Sequence, residues 1–197
     1  MASQHPLQNT WVFWIQDLTS NPNTWKVQEI CEFSSVEEFW RQFGVVPKPS
    51  HLFYDGRNRK LLDGKEIESL AIFRKNIYPG WEDEINANGS ELLYRKVNMN
   101  VDILDMYWEN TVLALIGETV DMGEGIICGC RVVDKSKAKS TNRVYRLEVW
   151  LSTANQTIGD EYCKRLIDII QDEGVTDTSN KRKGQAIDFE WRRHTHT

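Results

Sequence analysis

Short runs of β-forming residues recur along the chain in neighbouring pairs, and this arrangement restricts the fold more than any other feature. Residues 11–15 are an unbroken apolar run and residues 25–33 are rich in β-formers. The turn Asn21-Pro22-Asn23 separates them, which predicts a hairpin. Further strands are predicted at residues 70–73, 92–97, 126–133 and 144–152. Pairs of strands that are adjacent in sequence predict an antiparallel sheet.

Three helices are predicted between and after these strands. The first begins at the capping box Ser35-x-x-Glu38, the second begins at Asn100 as N-cap and ends with Gly117 at the C′ position, and the third spans about 157–173. Each carries apolar residues at helical spacing. Helices on one face of an antiparallel sheet give an α+β fold, and the other face stays open for a ligand.

The length of 197 residues suits one domain. We expect a flexible N-terminus over residues 1–8, an inserted surface loop at about 47–68, with room for a small hairpin, and a basic C-terminal tail at about 175–197. No apolar run approaches the roughly 18 residues of a membrane span, and the N-terminus has no signal-peptide core. The four cysteines form no C-x-x-C pair, so we expect reduced thiols, no zinc site and a cytoplasmic protein.

Basic residues concentrate in two segments of a chain whose net charge is −5. Residues 131–146 hold six bases and one acid, and residues 181–193 hold five bases and two acids. The acidic remainder argues against non-specific binding of nucleic acid. The two segments indicate either a local anion site or two solvated basic loops, and charge alone does not separate these alternatives.

Tryptophan is unusually frequent, with eight residues in one small domain. Trp25 follows a proline turn and Trp81 lies on a Pro-Gly loop, where aromatic side chains often face solvent. Two such rings would hold a flat ligand between them, and a cationic ligand would gain about 0.5–2 kcal/mol per ring. The neighbouring Glu82 would accept hydrogen bonds from the edge of a purine. The alternative is two core tryptophans and a surface acid.

Catalysis finds little support in the sequence. No G-x-S-x-G, H-E-x-x-H or glycine-rich phosphate loop occurs. Three of the four histidines, His5, His51, His194 and His196, lie near a terminus. A small-ligand hydrolase on the same open sheet would need a nucleophile and a base, and no such pair is visible.

Several tryptophans occur in the order, and among the neighbouring residues, that are typical of the eukaryotic translation initiation factor 4E family of cap-binding proteins. In these stretches the chain resembles that family. The similar stretches are His5-Pro6-Leu7-Gln8-Asn9-Thr10-Trp11, Trp14, Thr24-Trp25, Val36-Glu37-Glu38-Phe39-Trp40, Trp81-Glu82-Asp83-Glu84, Trp108, Leu115-Ile116-Gly117-Glu118, Cys128-Gly129 and Val149-Trp150. They extend from residue 5 to about residue 174. The resemblance implies a curved antiparallel sheet, three helices on its convex face and a ligand cleft on the concave side.

The resemblance also implies a binding site for the 7-methylguanosine cap of messenger RNA, without catalysis or a cofactor. Trp25 and Trp81 would stack on the two faces of the base, and Glu82 would bind its N1 and N2 edge. The backbone N–H of Trp81 would bind O6, and Trp150 would touch the N7 methyl group. Phosphate-binding residues would be Arg146 and, within the basic loop, Lys135, Lys137 and Arg143.

The convex face of the family binds an extended and then helical peptide of a scaffold initiation factor or of a repressor. The residues that match this surface are His5, Pro6, Val36, Trp40 and Leu113. Glu109 stands where the family has leucine, so the usual partner motif would bind weakly or another partner would be used. This keeps open a paralogue that represses or stores messages.

Two further departures concern the cap side. Ser90 and Glu91 stand where the family has a basic residue near the phosphates, which weakens one part of phosphate binding. Residues 181–183 and Trp191 would replace a loop near the second nucleotide. Such changes suit a divergent member, such as a paralogue from a protist, whose ligand could carry methyl groups beyond the first nucleotide.

Overall fold

An antiparallel sheet of eight strands forms the centre of the computed structural model, which describes residues 4–18, 27–137, 140–171 and 187–195. The strands are β1 (Pro6–Asp17), β2 (Val27–Ser35), β3 (Leu61–Leu62), β4 (Lys65–Arg74), β5 (Ser90–Val97), β6 (Ile127–Asp134), β7 (Val144–Leu151) and β8 (Glu190–Arg193). Seven of them lie in the order β2-β1-β4-β6-β7-β5-β8, and β3 pairs with β4. The sheet is curved and does not close into a barrel.

The helices are α1 (Val36–Phe43), α2 (Glu84–Ala87), α3 (Val101–Ile116) and α4 (Gln156–Gln171), with a short 3-10 helix at Pro49–His51. The three long helices pack on one face of the sheet, and the main hydrophobic core lies between them and the strands. The prediction of an α+β fold with a curved antiparallel sheet and three helices on its convex face is therefore confirmed.

Alternation along the strands separates the two faces of the sheet. In β7, Tyr145, Leu147 and Val149 are buried in the core under the helices. The intervening residues, Glu148 and Trp150, belong to the opposite, concave face. This face carries a second, smaller apolar cluster of Ala71, Phe73, Cys128 and Trp150, so it is partly covered rather than bare.

The predicted helix starts are observed, with two differences in detail. Ser35 Oγ accepts a hydrogen bond from Glu38 N at 3.3 Å, but the carboxylate of Glu38 returns to Ser34 N, one residue before the predicted position. Asn100 caps α3 through Asp102 N. Gly117 is the C-cap with φ −82°, and the left-handed residue is Glu118, with φ +57°. The prediction of Gly117 at C′ was therefore wrong by one residue.

Three predicted irregular segments contain regular structure. Strand β1 begins at Pro6, inside the segment expected to be flexible. The expected surface loop contains the small hairpin for which it had room, since β3 pairs with the start of β4 at Lys65. Residues 52–54 of this loop are buried. The end of the basic tail forms β8, which pairs with β5 and is too short for its alternation to be recognised in the sequence. The short helix α2 was not predicted.

The C-terminal strand is attached to the body through Trp191 and its neighbours. Ile187 and Phe189 are buried in the core, and Trp191 lies against Gly159 of α4, where a Cβ atom would collide with the indole. Glycine is required there because the two elements approach so closely. The basic residues 181–183, which were expected to act together with Trp191, lie outside the described residues. Among the described helices, none is long and apolar enough to cross a lipid bilayer.

Candidate functional site

The loop that carries Trp81 is built by polar contacts with α2. The buried side chain of Asn86 donates to the carbonyls of Tyr78 (2.7 Å) and Gly80 (3.1 Å). Asp83 caps α2 through Ile85 N and also accepts a hydrogen bond from Tyr78 N. These bonds hold the loop while the indole of Trp81 keeps 37% of its surface exposed.

Glu82 follows Trp81 in the chain and has an exposed side chain. Its carboxylate folds over Gly80, and a Cβ atom on Gly80 would collide with it. The glycine of the Pro-Gly pair therefore allows the carboxylate to approach the loop backbone. The structure thus places the predicted ring and the predicted acceptor, Trp81 and Glu82, next to each other on the surface. Trp25 lies outside the described residues.

A cluster of three rings stands at this end of the concave face. The ring centroids of His194 lie 4.7 Å from Trp81 and 4.8 Å from Trp150, and those of Trp81 and Trp150 are 5.9 Å apart. His194 Nδ1 donates to the carbonyl of Asn86 at 2.6 Å, and its backbone N–H donates to Gly89 O. His194 received no role from the sequence, because its partners come from distant segments.

Trp150 was predicted to touch a ligand, but its side chain is only 1% exposed. Its Nε1 donates to Glu148 Oε2 at 3.3 Å, and Arg131 binds the same carboxylate at 2.9 Å. The guanidinium of Arg131 also lies 5.7 Å from the centre of the indole. Arg131 is therefore part of a buried ion pair and does not contribute to a basic surface.

The basic loop between β6 and β7 borders a cavity of about 360 Å³. The cavity is lined by Arg95, Lys135, Lys137, Ser140, Asn142, Val144 and Arg146. Three of the four predicted phosphate-binding residues are thus brought together. The fourth, Arg143, is not among the lining residues, and its side chain lies against Gly56 and donates to Asp55 O. Arg95 was missed because it lies in β5, far in sequence from the two basic segments.

A second cavity of about 500 Å³ lies next to α2. Its lining includes Ile77, Ile85 and Cys128 and none of the predicted ligand-binding residues. Because the basic cavity has the charge that phosphates require, we assign the candidate site to the concave face from Trp81 to the basic loop and not to this larger cavity.

Glu91 occupies the concave face between Trp150 and Arg192, which are its partners on β7 and β8. Burial and the neighbouring carboxylate of Glu148 raise the pKa of Glu91 to about 7. Arg192 belongs to the strand that was not predicted, and it forms an ion pair of 2.6 Å with Glu190. The acid in β5 is therefore next to an arginine that only the sheet pairing brings there.

The convex face exposes an apolar surface on α1. Trp40 is 51% exposed and Val36 is 38% exposed, and they lie one turn apart. Trp40 packs edge-on against Phe39 with the ring centroids 5.0 Å apart. His5 lies beside this helix, because its backbone and ring bind the carboxylate of Glu37. Those hydrogen bonds lower the pKa of Glu37 to about 2.

The remaining predicted residues of this face are also near the surface. Pro6 pairs with Ser35 at the end of β2, and Leu113 is half-buried on α3. Glu109, one turn before Leu113, forms an ion pair with Lys48 at 3.4 Å. The acid at the position of the family's leucine therefore has a cation beside it.

All four cysteines are free, and burial raises the pKa of Cys128 to about 12. Within the described ranges, no group of three or more His, Cys, Asp or Glu side chains is arranged to hold a metal ion. The chemistry that the site presents is aromatic stacking, one exposed carboxylate and clustered cations.

Comparisons with known proteins agree with this architecture. The family model described as "Eukaryotic initiation factor 4E" matches residues 6–188. Eukaryotic translation initiation factor 4E-1 of Zea mays is 32% identical over 154 residues, 76% of this chain, and the protein of the same name from rice is 32% identical over 157 residues, 78% of this chain. The matched regions are 61% and 60% of the lengths of these two relatives.

Solved structures share the fold. Ascaris suum eIF4E-3 in complex with the m2,2,7G cap has a TM-score of 0.74 at 21% identity, covering 99% of this chain and 94% of that one. Caenorhabditis elegans eIF4E-3 in complex with the 4E-binding protein Mextli has a TM-score of 0.72 at 22% identity, covering 98% and 94%. The family match extends over nearly the whole sequence, and it includes the loop of Trp81, strand β7 with Trp150 and the residues that line the basic cavity. The chain therefore belongs to the eukaryotic initiation factor 4E family.

Proposed function

We propose that this chain binds the 7-methylguanosine cap of messenger RNA on its concave face and a scaffold protein of translation initiation on its convex face, in the cytoplasm. The observation that carries the proposal is the combination of a half-exposed Trp81, the adjacent carboxylate of Glu82 and a basic cavity on one face of the sheet. These are the three kinds of group that a cationic purine joined to phosphates requires.

The exposed ring of Trp81 supplies the selectivity for the methylated base. Methylation at N7 makes guanine cationic, and a cation over an indole gains about 0.5–2 kcal/mol. Stacking of any base on an aromatic ring contributes about 1–3 kcal/mol. Trp25 is proposed as the second ring of the clamp, on the strength of its sequence position alone.

Glu82 contacts the edge of the base, and the cations contact the phosphates. The carboxylate of Glu82 accepts the two N–H groups on the edge of the purine, a charge-assisted pairing. Arg146, Lys135 and Lys137 meet the phosphates, joined by Arg95 at the same cavity. Each of these contacts is binding, and none requires a nucleophile or a proton transfer, so we propose a binding protein and not an enzyme.

The convex face is proposed to bind a helical peptide around Trp40. Large aromatic side chains that are exposed to solvent on one side and packed against the protein on the other are typical anchors of protein interfaces. The ion pair of Glu109 with Lys48 adds polar groups at the edge of this surface. This ion pair influences which partner binds to the convex face and does not affect the cap site.

Tryptophan-fluorescence titration tests the ligand. We expect 7-methyl-GTP to bind at least about tenfold more tightly than GTP, because only the methylated base is cationic. A trimethylated cap is the third probe, since the Ascaris suum relative was solved with an m2,2,7G cap. Equal affinity for GTP and 7-methyl-GTP would reject the cationic-base assignment.

Three variants and one control test the residues. Trp25→Ala or Trp81→Ala should abolish retention on immobilised 7-methyl-GTP, whereas Trp40→Ala, the matched change on the convex face, should retain it. Glu82→Gln should weaken binding by about tenfold, because the amide lacks the negative charge and faces one of the two N–H groups of the base with a donor instead of an acceptor. Full retention by both clamp variants would end the assignment.

A further inference from the structure

The segment of residues 52–62, which follows the 3-10 helix and ends with β3, contacts the basic loop of residues 135–143 at Ser136, Ser140 and Arg143. The base of the segment is fixed in the core, because Leu52 and Phe53 are buried and Phe53 stacks on Tyr145 with ring centroids 6.2 Å apart. Tyr145 also donates its hydroxyl hydrogen to Tyr54 O. The 52–62 segment is thus anchored in the core and positioned beside the loop.

The start of the basic loop is held through Asp134, which is 2% exposed. Its carboxylate accepts hydrogen bonds from Tyr54 N and Ser136 N, both at 2.8 Å. Arg59 forms an ion pair with the same carboxylate at 3.1 Å and donates to Ser136 O at 2.9 Å. Arg59 therefore binds a side chain and a backbone carbonyl of the loop at once.

The middle and the end of the loop are held by the same segment. The hydroxyl of Tyr54 donates to Ser140 O at 2.9 Å. Arg143 donates to Asp55 O and lies against Gly56, whose φ of +102° forms the turn. The contacts are distributed so that the loop is fixed at three points, while Lys135, Lys137 and Arg146 face the cavity.

We propose that the 52–62 segment preorganises the basic loop for binding phosphates, with Arg59 and Tyr54 as its positioning residues. The loop carries several like charges and no regular structure of its own in its described part, so it would sample many conformations without support. Fixing it before the ligand arrives removes that entropy cost from binding. The inference rests on the proposed function, because it concerns the phosphate half of the same site.

The test separates the phosphate contribution from the base contribution. Affinities for 7-methylguanosine, which has no phosphate, and for 7-methyl-GTP are measured by tryptophan fluorescence for each variant. Arg59→Ala should weaken the binding of 7-methyl-GTP by about fivefold or more and the binding of 7-methylguanosine by less than about twofold. Tyr54→Phe removes one hydroxyl and keeps the ring, so we expect a loss of about twofold to threefold for 7-methyl-GTP alone.

The matched control is Arg57→Ala. It removes the same charge from an exposed position two residues before Arg59. It should change neither affinity by more than about twofold, because solvent and salt screen the charge of an exposed side chain. Arg59→Lys keeps a cation beside Asp134 and should recover part of the affinity for 7-methyl-GTP. If Arg59→Ala does not fold, the affinities of Tyr54→Phe for the two ligands test the inference.

If Arg59→Ala and Tyr54→Phe weakened the binding of both ligands equally, the cause would be a general loss of structure. That result would overturn the inference. Unchanged affinity for 7-methyl-GTP in both variants would also overturn it. In either case the binding of both ligands by the unmodified protein would leave the proposed function standing. Failure of the unmodified protein to bind either ligand would instead reject the proposed function, and the inference with it.

Discussion

The imidazole of His194 packs against the indole of Trp81 with their ring centroids 4.7 Å apart. The contact joins the residue that follows β8 to the loop of the candidate base site. Because His194 Nδ1 donates to Asn86 O, and the Asn86 side chain binds the carbonyls of Tyr78 and Gly80, this histidine also supports the backbone around Trp81.

Replacement of this histidine should loosen the loop. We expect His194→Ala to lower the free energy of unfolding by about 1–3 kcal/mol, because a buried hydrogen bond to Asn86 is lost. We also expect 7-methyl-GTP to bind about threefold or more weakly, because Trp81 is less well positioned. Urea unfolding and fluorescence titration measure the two effects. His51→Ala, at an exposed position, is the control; tighter binding by His194→Ala would mean that the ring obstructs the site.

The attachment of β8 can be tested from the opposite side of the sheet. A methyl group at Gly159 would collide with Trp191, so Gly159→Ala should destabilise the protein by about 1–3 kcal/mol. Hydrogen exchange at the amide of His194, which bonds Gly89 O, should become faster. Asp160→Ala changes an exposed residue of the same helix and should leave this exchange rate unchanged. Protection of the amide in Gly159→Ala would show that β8 does not depend on the contact.

The pH dependence of stability should carry the signature of Glu91. Burial and Glu148 raise its pKa from 4.5 to about 7, against the opposing effect of Arg131, Arg192 and Arg146. The folded state therefore holds this proton more tightly than the unfolded chain. The free energy of unfolding should decrease as the pH rises from about 4.5 to about 7, at a rate on the order of 1 kcal/mol for each pH unit within that range.

Glu91→Gln removes this titration. Its free energy of unfolding should depend less on pH between about 5 and about 8, and at the upper end the variant should be more stable than the unmodified protein. Urea unfolding over this range measures both, with Glu84→Gln as the control for loss of an exposed carboxylate. Parallel profiles for the unmodified protein and Glu91→Gln would contradict the raised pKa.

The convex surface should be separable from the cap site. Trp40→Ala should weaken binding of a peptide from a 4E-binding protein by about tenfold or more, as expected for an anchor residue, and should leave retention on 7-methyl-GTP intact. Pull-down of the peptide and cap chromatography on the same preparation measure this. Trp81→Ala is the reciprocal control, since it should lose the cap and keep the peptide. Loss of both activities in Trp40→Ala would mean that the indole stabilises the fold as a whole and does not act as an anchor for the peptide.

The sequence predicted best where the signal is local. The capping residues Ser35 and Asn100 fixed the starts of two helices, because a cap acts within one turn. The strands around the basic loop were placed within one residue at each end. The Pro-Gly pair indicated that Trp81 lies on a loop, and the structure exposes that ring.

The errors concern segments whose structure depends on distant partners. Strand β8 alternates over four residues only and exists because β5 offers an edge. The burial of Trp150 was also not apparent from the sequence, because the rings that pack on it, Trp81 and His194, come from other segments. Its contact with a ligand stays a prediction. Arg131 was counted with the basic segment and is neutralised by Glu148 on the neighbouring strand.

By itself the sequence determined the α+β class, the positions of the three long helices and the placement of Trp81 on a loop, because alternation, capping and turn chemistry act over a few residues. The tertiary structure decided which cations share one cavity, that Arg143 turns towards Asp55, and that His194 completes a ring cluster with Trp81 and Trp150. Those relationships depend on sheet order and register, which join residues far apart in the chain and leave no periodic trace in it.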